Sequence, residues 1–386
     1  MHACAPATPP CCGPRPQPSQ ARGRRGGLQR WLTGLGLMAG GAVAVADTPP
    51  PIALGRSVLK LEARRAQGGY ALGSAVVVAP DTLVTNCHVT REATLLQVMV
   101  GGLRHTVAAQ TADLHHDLCV LHVPGLPAEP VALGNSASLH DGQPVFAVGY
   151  TGGMALQAST GQVVALHRLD GAQVVQVDNW FSSGASGGAL FDDQQRLVGV
   201  LTFRLLGGQA HYFAGPVEWL QPLLRQAGAA VAPLATSPLP YWQNLAAQQP
   251  PFLRAQRLLR DGQWQALAGL ADDWLRADLG DAEPWYLAGL ALGQLGRQPE
   301  ARLALGCALQ IAPAMEAARQ ALATLGTAPT SATTGPSTGP PTKPSAWPSV
   351  GPSPRPATEA ATTAPAPAVV ADARSPVPLC PTAPDQ

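Results

Sequence analysis

Three short stretches carry the residue types of nucleophilic hydrolysis. Residues 184–190 read GASGGAL and present Ser186 between glycines at 184 and 187. Upstream, His88 lies in TNCHV, and Asp117 heads DLCVL. A serine hydroxyl is a weak nucleophile until a neighbouring base takes its proton, and a carboxylate behind that base holds its tautomer. The order His88, Asp117, Ser186, with spacings of 29 and 69 residues, supplies all three groups. G-x-S-x-G alone is ambiguous, because it also marks the strand-to-helix nucleophile elbow, whose acid and histidine follow the serine. Here the chain runs on as SGGALFDDQQRLVGVLTF, a strand–turn–strand pattern, and only His211 lies downstream as a base. That argues against the elbow. Asp113 competes with Asp117 as the acid but has no buried-looking strand directly after it.

The elements that must position these residues read as short strands. From residue 57 to about 216, segments such as GSAVVVA, TLVTNCHV, LCVLHV, QPVFAVGY and RLVGVLTF alternate with turn material such as APD, HDG and LDG. Many short valine- and leucine-rich strands at this spacing predict an all-β barrel or sandwich. PVEWLQPLLRQAG then has helical spacing and stops at Gly228. After a linker the pattern changes to Ala/Leu/Arg helices, in which Gly262 and Gly296 stand 34 residues apart, the tetratricopeptide period. Trp285, Gly289, Leu292, Ala301, Leu305, Ala308 and Pro313 resemble the consensus of that repeat, and an earlier copy matches through Ala255, Leu258 and Leu267. From about Thr327 the chain is rich in Pro, Thr, Ser and Ala and predicts disorder.

The amino end reads as an export signal. The basic stretch ARGRRGGLQR precedes the apolar run WLTGLGLMAGGAVAVA, which is short for a membrane span and ends in a small-x-small site before Asp47. Arg24 and Arg25 leave a twin-arginine route open beside the ordinary one. The expected organisation is an extension and signal at 1–46, the β domain at 52–228, a linker at 229–250, helical repeats at 251–326 and a disordered tail at 327–386. The expected location is periplasmic or secreted. A formal net charge of +1 gives no reason to expect a nucleic-acid partner.

On TNCHV, DLCVL and GASGGAL together, residues 55 to 225 resemble a trypsin-like serine protease of the bacterial HtrA/Deg type. The resemblance implies a chymotrypsin-like double six-stranded barrel and a serine endopeptidase acting on proteins or peptides without a metal or cofactor. It implies Ser186 as nucleophile, His88 as base and Asp117 as its orienting acid. The backbone N–H groups of Gly184 and Ser186 would form the oxyanion hole. Trp180 would stand at the base of the specificity pocket, with Phe203 and Arg204 along the substrate strand. The Thr202 hydroxyl is expected to bond Asp117. Ala185 stands where digestive proteases keep an aspartate for a newly cut amino terminus, so activation by that ion pair is not expected. No peptide-binding PDZ segment follows; the repeats occupy its place and could hold a protein partner. The competing reading is an inert protease fold that binds partners through the repeats.

If His88 and Asp117 touch, Cys87 and Cys119 lie on neighbouring backbones. A disulfide between them would close a loop of about 33 residues, the alternative being two reduced buried thiols. Cys307 is expected in a helix core and Cys380 in the tail. His115, His116 and His122 are read as solvated rather than as a metal set, since adjacent histidines on an extended chain point to opposite faces.

Overall fold

The computed structural model describes residues 55–205, 211–327 and 380. The expected signal at 1–46 and nearly all of the expected tail lie outside these residues. Valine-rich alternation forms strands wherever glycine or aspartate turns punctuate it. The first lobe holds β1 (Val58–Arg65), β2 (Tyr70–Ala79), β3 (Thr82–Asn86), a single turn α1 (Cys87–Thr90), β4 (Ala93–Val100), β5 (Leu103–Thr106), β6 (Ala109–Asp113) and β7 (Leu118–His122). The second holds β8 (Pro144–Thr151), β9 (Ala155–Leu169), β10 (Ala172–Val177), β11 (Ala189–Phe191), β12 (Leu197–Leu205) and β13 (His211–Pro216). A short helix α2 (Leu220–Leu224) and strand β14 (Ala229–Ala230) follow.

The second lobe is a closed six-stranded barrel in the order β10-β13-β12-β11-β8-β9. The first corrects the expectation of a matching closed barrel. It is an eight-stranded sheet, β14-β6-β7-β3-β2-β1-β4-β5. β14 occupies the free edge of β6, pairing Ala229 with Gln110 and Ala230 with Ala109. Between β4 and the chain entering β6, a bond from Val107 N–H to Leu96 O at 2.9 Å bridges the gap. Val58, Val76, Val84 and Leu118 of the first lobe share one buried core with Phe191, Phe203 and Phe213 of the second. The two lobes are therefore joined by one continuous apolar core.

The stretch 229–250 is not a free connector. Besides β14, it sends Tyr241 into the shared core, which also takes Phe252 and Leu253. Helices α3 (Pro251–Arg260), α4 (Trp264–Ala277), α5 (Ala282–Gln294), α6 (Gln298–Ile311) and α7 (Glu316–Thr327) follow. They pack as successive neighbours around a second core centred on Trp285, Leu267, Leu292 and Leu305. Cys380 corrects the expectation of an unattached tail: it is bonded to Cys307 of α6. Among the described residues, no helix is long and apolar enough to cross a membrane.

One buried polar contact docks α5 on the barrel. His167 of β9 is 1% exposed. Its Nδ1 lies 2.9 Å from both carboxylate oxygens of Glu283, its Nε2 lies 2.9 Å from Gln176 Oε1, and its ring stacks on Phe252. An acceptor at each ring nitrogen calls for two donors, which is the imidazolium. Burial opposes that charge, but Glu283 and the other acceptors outweigh it and raise the pKa above the ordinary value. A histidine whose pKa is raised on folding adds stability below its unfolded value, about 6.5, and the gain is lost as pH climbs through the raised value. Thermal melts from about pH 6 upward are therefore expected to show wild type losing its advantage over Glu283→Gln as pH rises. A gap that stays constant across that range would show that the pair does not titrate.

Candidate active site

Strand register brings His88 and Asp117 together. β3 and β7 pair with Asn86 opposite Leu118, so the next residues outward, Cys87 and Asp117, face one another. Cys87 N–H donates to Asp117 O at 3.1 Å. The Asp117 carboxylate is fully buried. Oδ1 accepts the His88 backbone N–H at 2.8 Å, and Oδ2 lies 2.6 Å from His88 Nδ1. This leaves Nε2 of a partly exposed ring to the cleft. Asp117 holds φ +60°, a left-handed conformation uncommon for a side-chain-bearing residue. Its carbonyl is fixed by Cys87 N–H and by Asn86 Nδ2 at 3.0 Å.

Thr202 does not bond Asp117, contrary to expectation. Its hydroxyl donates to Val200 O at 2.8 Å and accepts from Asn86 Nδ2 at 3.2 Å. Asn86 is thus the link, reaching Asp117 through the backbone carbonyl. Thr202 lies where the pairing of β12 with β13 shifts between Leu201 and Phe203, and there its hydroxyl meets Asn86 rather than the acid.

The serine loop is built from two turns. Ala185 N–H donates to Ser182 O at 3.0 Å, and Gly188 N–H to Ala185 O at 2.8 Å. Gly184 and Gly187 hold φ +94° and +83°. A Cβ on Gly184 would strike Tyr150 O, and one on Gly187 would strike Ser74 O and the Thr85 hydroxyl. Ser183 O accepts from Gly152 N–H at 2.7 Å. Because the two ends of a planar trans peptide point opposite ways, this bond turns the Gly184 N–H away from Gly152. Among the described residues, neither Gly184 N–H nor Ser186 N–H donates to a protein acceptor. Ala185 is fully buried against Gly149. The Ser186 hydroxyl is directed at Thr202 O, 3.5 Å away. It makes no hydrogen bond to His88.

Sequence reasoning missed Ser74, which joins this loop to the first lobe. Ser74 N–H donates to Ser186 O at 2.8 Å, and Ser74 Oγ donates to Gly184 O at 2.9 Å while accepting Tyr150 N–H at 2.8 Å. A serine inside a valine strand was the available signal. It also missed Trp242. That ring stacks on Phe203 at a centroid distance of 5.0 Å and stands edge-on to His88 at 5.8 Å. Phe213 covers the other face of Phe203 at 4.7 Å, so Phe203 offers no open face. Arg204 is exposed. Trp180 shows 54% of its surface to solvent, and it is the next residue, Phe181, that turns inward to pack on Tyr212 at 4.7 Å. His115 and His116 lie in a turn, not a strand, so their rings are not on opposite faces.

Residues 73–200 match the family model described as a trypsin-like peptidase domain. A probable periplasmic serine endoprotease DegP-like of Buchnera aphidicola subsp. Baizongia pistaciae is 29% identical over 170 residues, 41% of this chain and 36% of that protein. Protease Do-like 1, chloroplastic, of Arabidopsis thaliana is 34% identical over 138 residues, 31% of this chain and 30% of that protein. The crystal structure of Rv3671c protease from M. tuberculosis, active form, aligns at 23% identity and a TM-score of 0.45, over 50% of this chain and 90% of that one. The chain spans about a third of the length of the curated relatives it matches.

Cys87 and Cys119 are joined by a disulfide, with Cα atoms 5.0 Å apart. It closes the loop that connects the histidine turn to the aspartate strand. Replacing both cysteines by alanine is expected to lower the unfolding free energy by about 3–4 kcal/mol from loop closure. Denaturant midpoints in non-reducing buffer measure this. An unchanged midpoint would mean that the bond adds nothing to the folded state.

Proposed function

We propose that this chain is an exported serine endopeptidase. One observation carries the reading: a partly exposed His88 ring backed by the buried Asp117 carboxylate adjoins a serine loop whose Gly184 and Ser186 amides are without protein acceptors. In this mechanism the Ser186 hydroxyl rotates from Thr202 O toward His88 Nε2 and attacks the scissile carbonyl carbon as its proton passes to His88. The carbonyl oxygen, now an oxyanion, receives the two amides, and one such donor contributes roughly 3–4 kcal/mol in the transition state. His88 then gives the proton to the departing amine as the C–N bond breaks, and water releases the acyl group by the same path in reverse. Asp117 holds the tautomer that makes this transfer possible. No step calls on a metal or cofactor.

Protein or peptide substrates are proposed, in keeping with the endoproteases this chain resembles. Export to the periplasm or exterior is proposed from residues 1–46, the Cys87–Cys119 bond and the periplasmic naming of relatives. The helices at 251–326 are proposed to be two tetratricopeptide-like repeats with a surface for a protein partner. Supporting this, Gly262 and Gly296 both adopt left-handed φ, +63° and +78°, at the turns after α3 and α5. The competing reading, an inert fold that binds partners, draws on the Ser186 hydroxyl being turned to Thr202 O.

A fluorophosphonate probe separates the two readings. Labelling of folded wild type, lost in Ser186→Ala, is the outcome expected of the enzyme, whereas no labelling at any pH between about 6 and 9 would sink it.

Trp242 carries a consequence for selectivity. Its indole stands edge-on to His88 and covers Phe203, and we propose that it narrows the room for the substrate side chain preceding the scissile residue. Trp242→Ala is expected to raise kcat/KM for a peptide with Leu at that position, relative to Ala, by about 10-fold or more. Competition between the two peptides reads this ratio directly; an unchanged ratio would place that side chain elsewhere.

A further inference from the structure

Two imidazoles and a carboxylate converge at a second place, next to Asp117 in sequence but outside the catalytic pair. In the turn between β6 and β7, His115 Nε2 and His116 Nε2 lie 3.2 and 3.1 Å from Asp170 Oδ2. The three ligand atoms are all within 4.8 Å of one another. Zinc binds imidazole nitrogen and carboxylate oxygen at ~2.0–2.2 Å in a tetrahedron, which puts neighbouring donor atoms roughly 3.3 Å apart. Two of the three separations here already have that size.

The surroundings complete the arrangement. His116 Nδ1 lies 2.6 Å from Asp113 Oδ2, and Asp113 Oδ1 accepts the His116 backbone N–H at 3.0 Å. Asp113 and Asp170 face the two ring nitrogens of His116, so an ion entering at Nε2 would displace the proton there while Asp113 keeps the proton on Nδ1, the usual support of a metal-binding histidine. The His116 ring is held flat on Trp219 at 4.0 Å. Asp170 sits in the two-residue turn joining β9 and β10, where Asp170 and Gly171 both have left-handed φ, +45° and +79°, as a tight hairpin turn requires. His115 and Asp170 are about half exposed, so an ion can enter and a water can fill the fourth position.

We propose that His115, His116 and Asp170 form a site for a divalent zinc-class ion, with Asp113 positioning His116. The histidines belong to the first lobe and Asp170 to the second, so the ion would clamp the lobes together at the turn that delivers Asp117. This inference goes beyond the proposed hydrolysis and stands or falls without it.

The test uses the full-length, tag-free chain stripped with chelator and titrated with Co2+, followed by visible absorption, then with Zn2+ as competitor. One Co2+ per chain is expected, with the intense ligand-field bands of a four-coordinate ion that Zn2+ abolishes. His115→Gln and His116→Gln should each remove saturable binding over the same range. Asp170→Asn, which keeps the turn, should weaken it more than 10-fold, and Asp113→Asn by about 10–100-fold. Circular dichroism and melts in chelator establish that each variant is folded. Absence of saturable Co2+ binding by wild type overturns the proposal. Equal affinity in His115→Gln or Asp170→Asn also overturns it, since the ion would then sit on other histidines such as His88 or His140.

Discussion

A single buried serine couples the two lobes at the site. Ser74, with no exposed surface, uses its amide on Ser186 O and its hydroxyl on Gly184 O and Tyr150 N–H. Its own carbonyl takes the Thr85 hydroxyl at 2.7 Å. Thr85 is the residue before Asn86, and Asn86 grips the Asp117 carbonyl. The Ser186 loop and the His88 turn are therefore joined through one chain of buried hydrogen bonds. A buried polar group is costly unless it is paired, and each bond of this path pairs two of them, although among the described residues Asn86 Oδ1 is left without a partner. Gly187 must be a glycine because the same backbone of Ser74 and Thr85 lies where its side chain would be.

The helical segment is attached by a different kind of contact. Phe252 and Leu253 join the barrel core, while His167 and Glu283 pair in the interface beside them. The apolar part holds at any pH, whereas the charged part requires a proton on His167. Asp281, which caps α5 by accepting the Glu283 N–H, is pushed up to about 6 by burial, with that hydrogen bond pulling the other way. Between these anchors, residues 229–250 run back over the cleft, and Tyr241 N–H bonds His115 O at 3.0 Å. That bond sets Trp242 down beside His88.

How much of this was legible depended on whether the signal was local. The strand–turn rhythm between 57 and 216 was readable because side-chain alternation and turn chemistry act over a few residues. So was the glycine demand at 184 and 187, since only glycine relaxes into left-handed φ without strain. The first lobe was misjudged because closure depends on which distant strand reaches the edge of β6, and Ala229–Ala230 carries no strand signal of its own. Thr202 was aimed at the wrong partner because its bond to Asn86 joins residues 116 positions apart in different lobes. The two histidine rings were expected on opposite faces because an extended chain was assumed where the backbone turns.

By itself the sequence determined the order of the chemical groups and the conformations available to them: His88 before Asp117 before Ser186, glycines around the serine, an alanine where an aspartate would need a partner. These follow from residue type and neighbours along the chain. Tertiary structure decided which groups meet. The β3–β7 register put Asp117 under His88, Ser74 brought the serine loop to the other lobe, and the returning chain laid Trp242 on Phe203. It also folded Asp170 against two histidines more than fifty positions away. Such contacts arise from packing between segments remote in sequence, where no local pattern of residues encodes the partner.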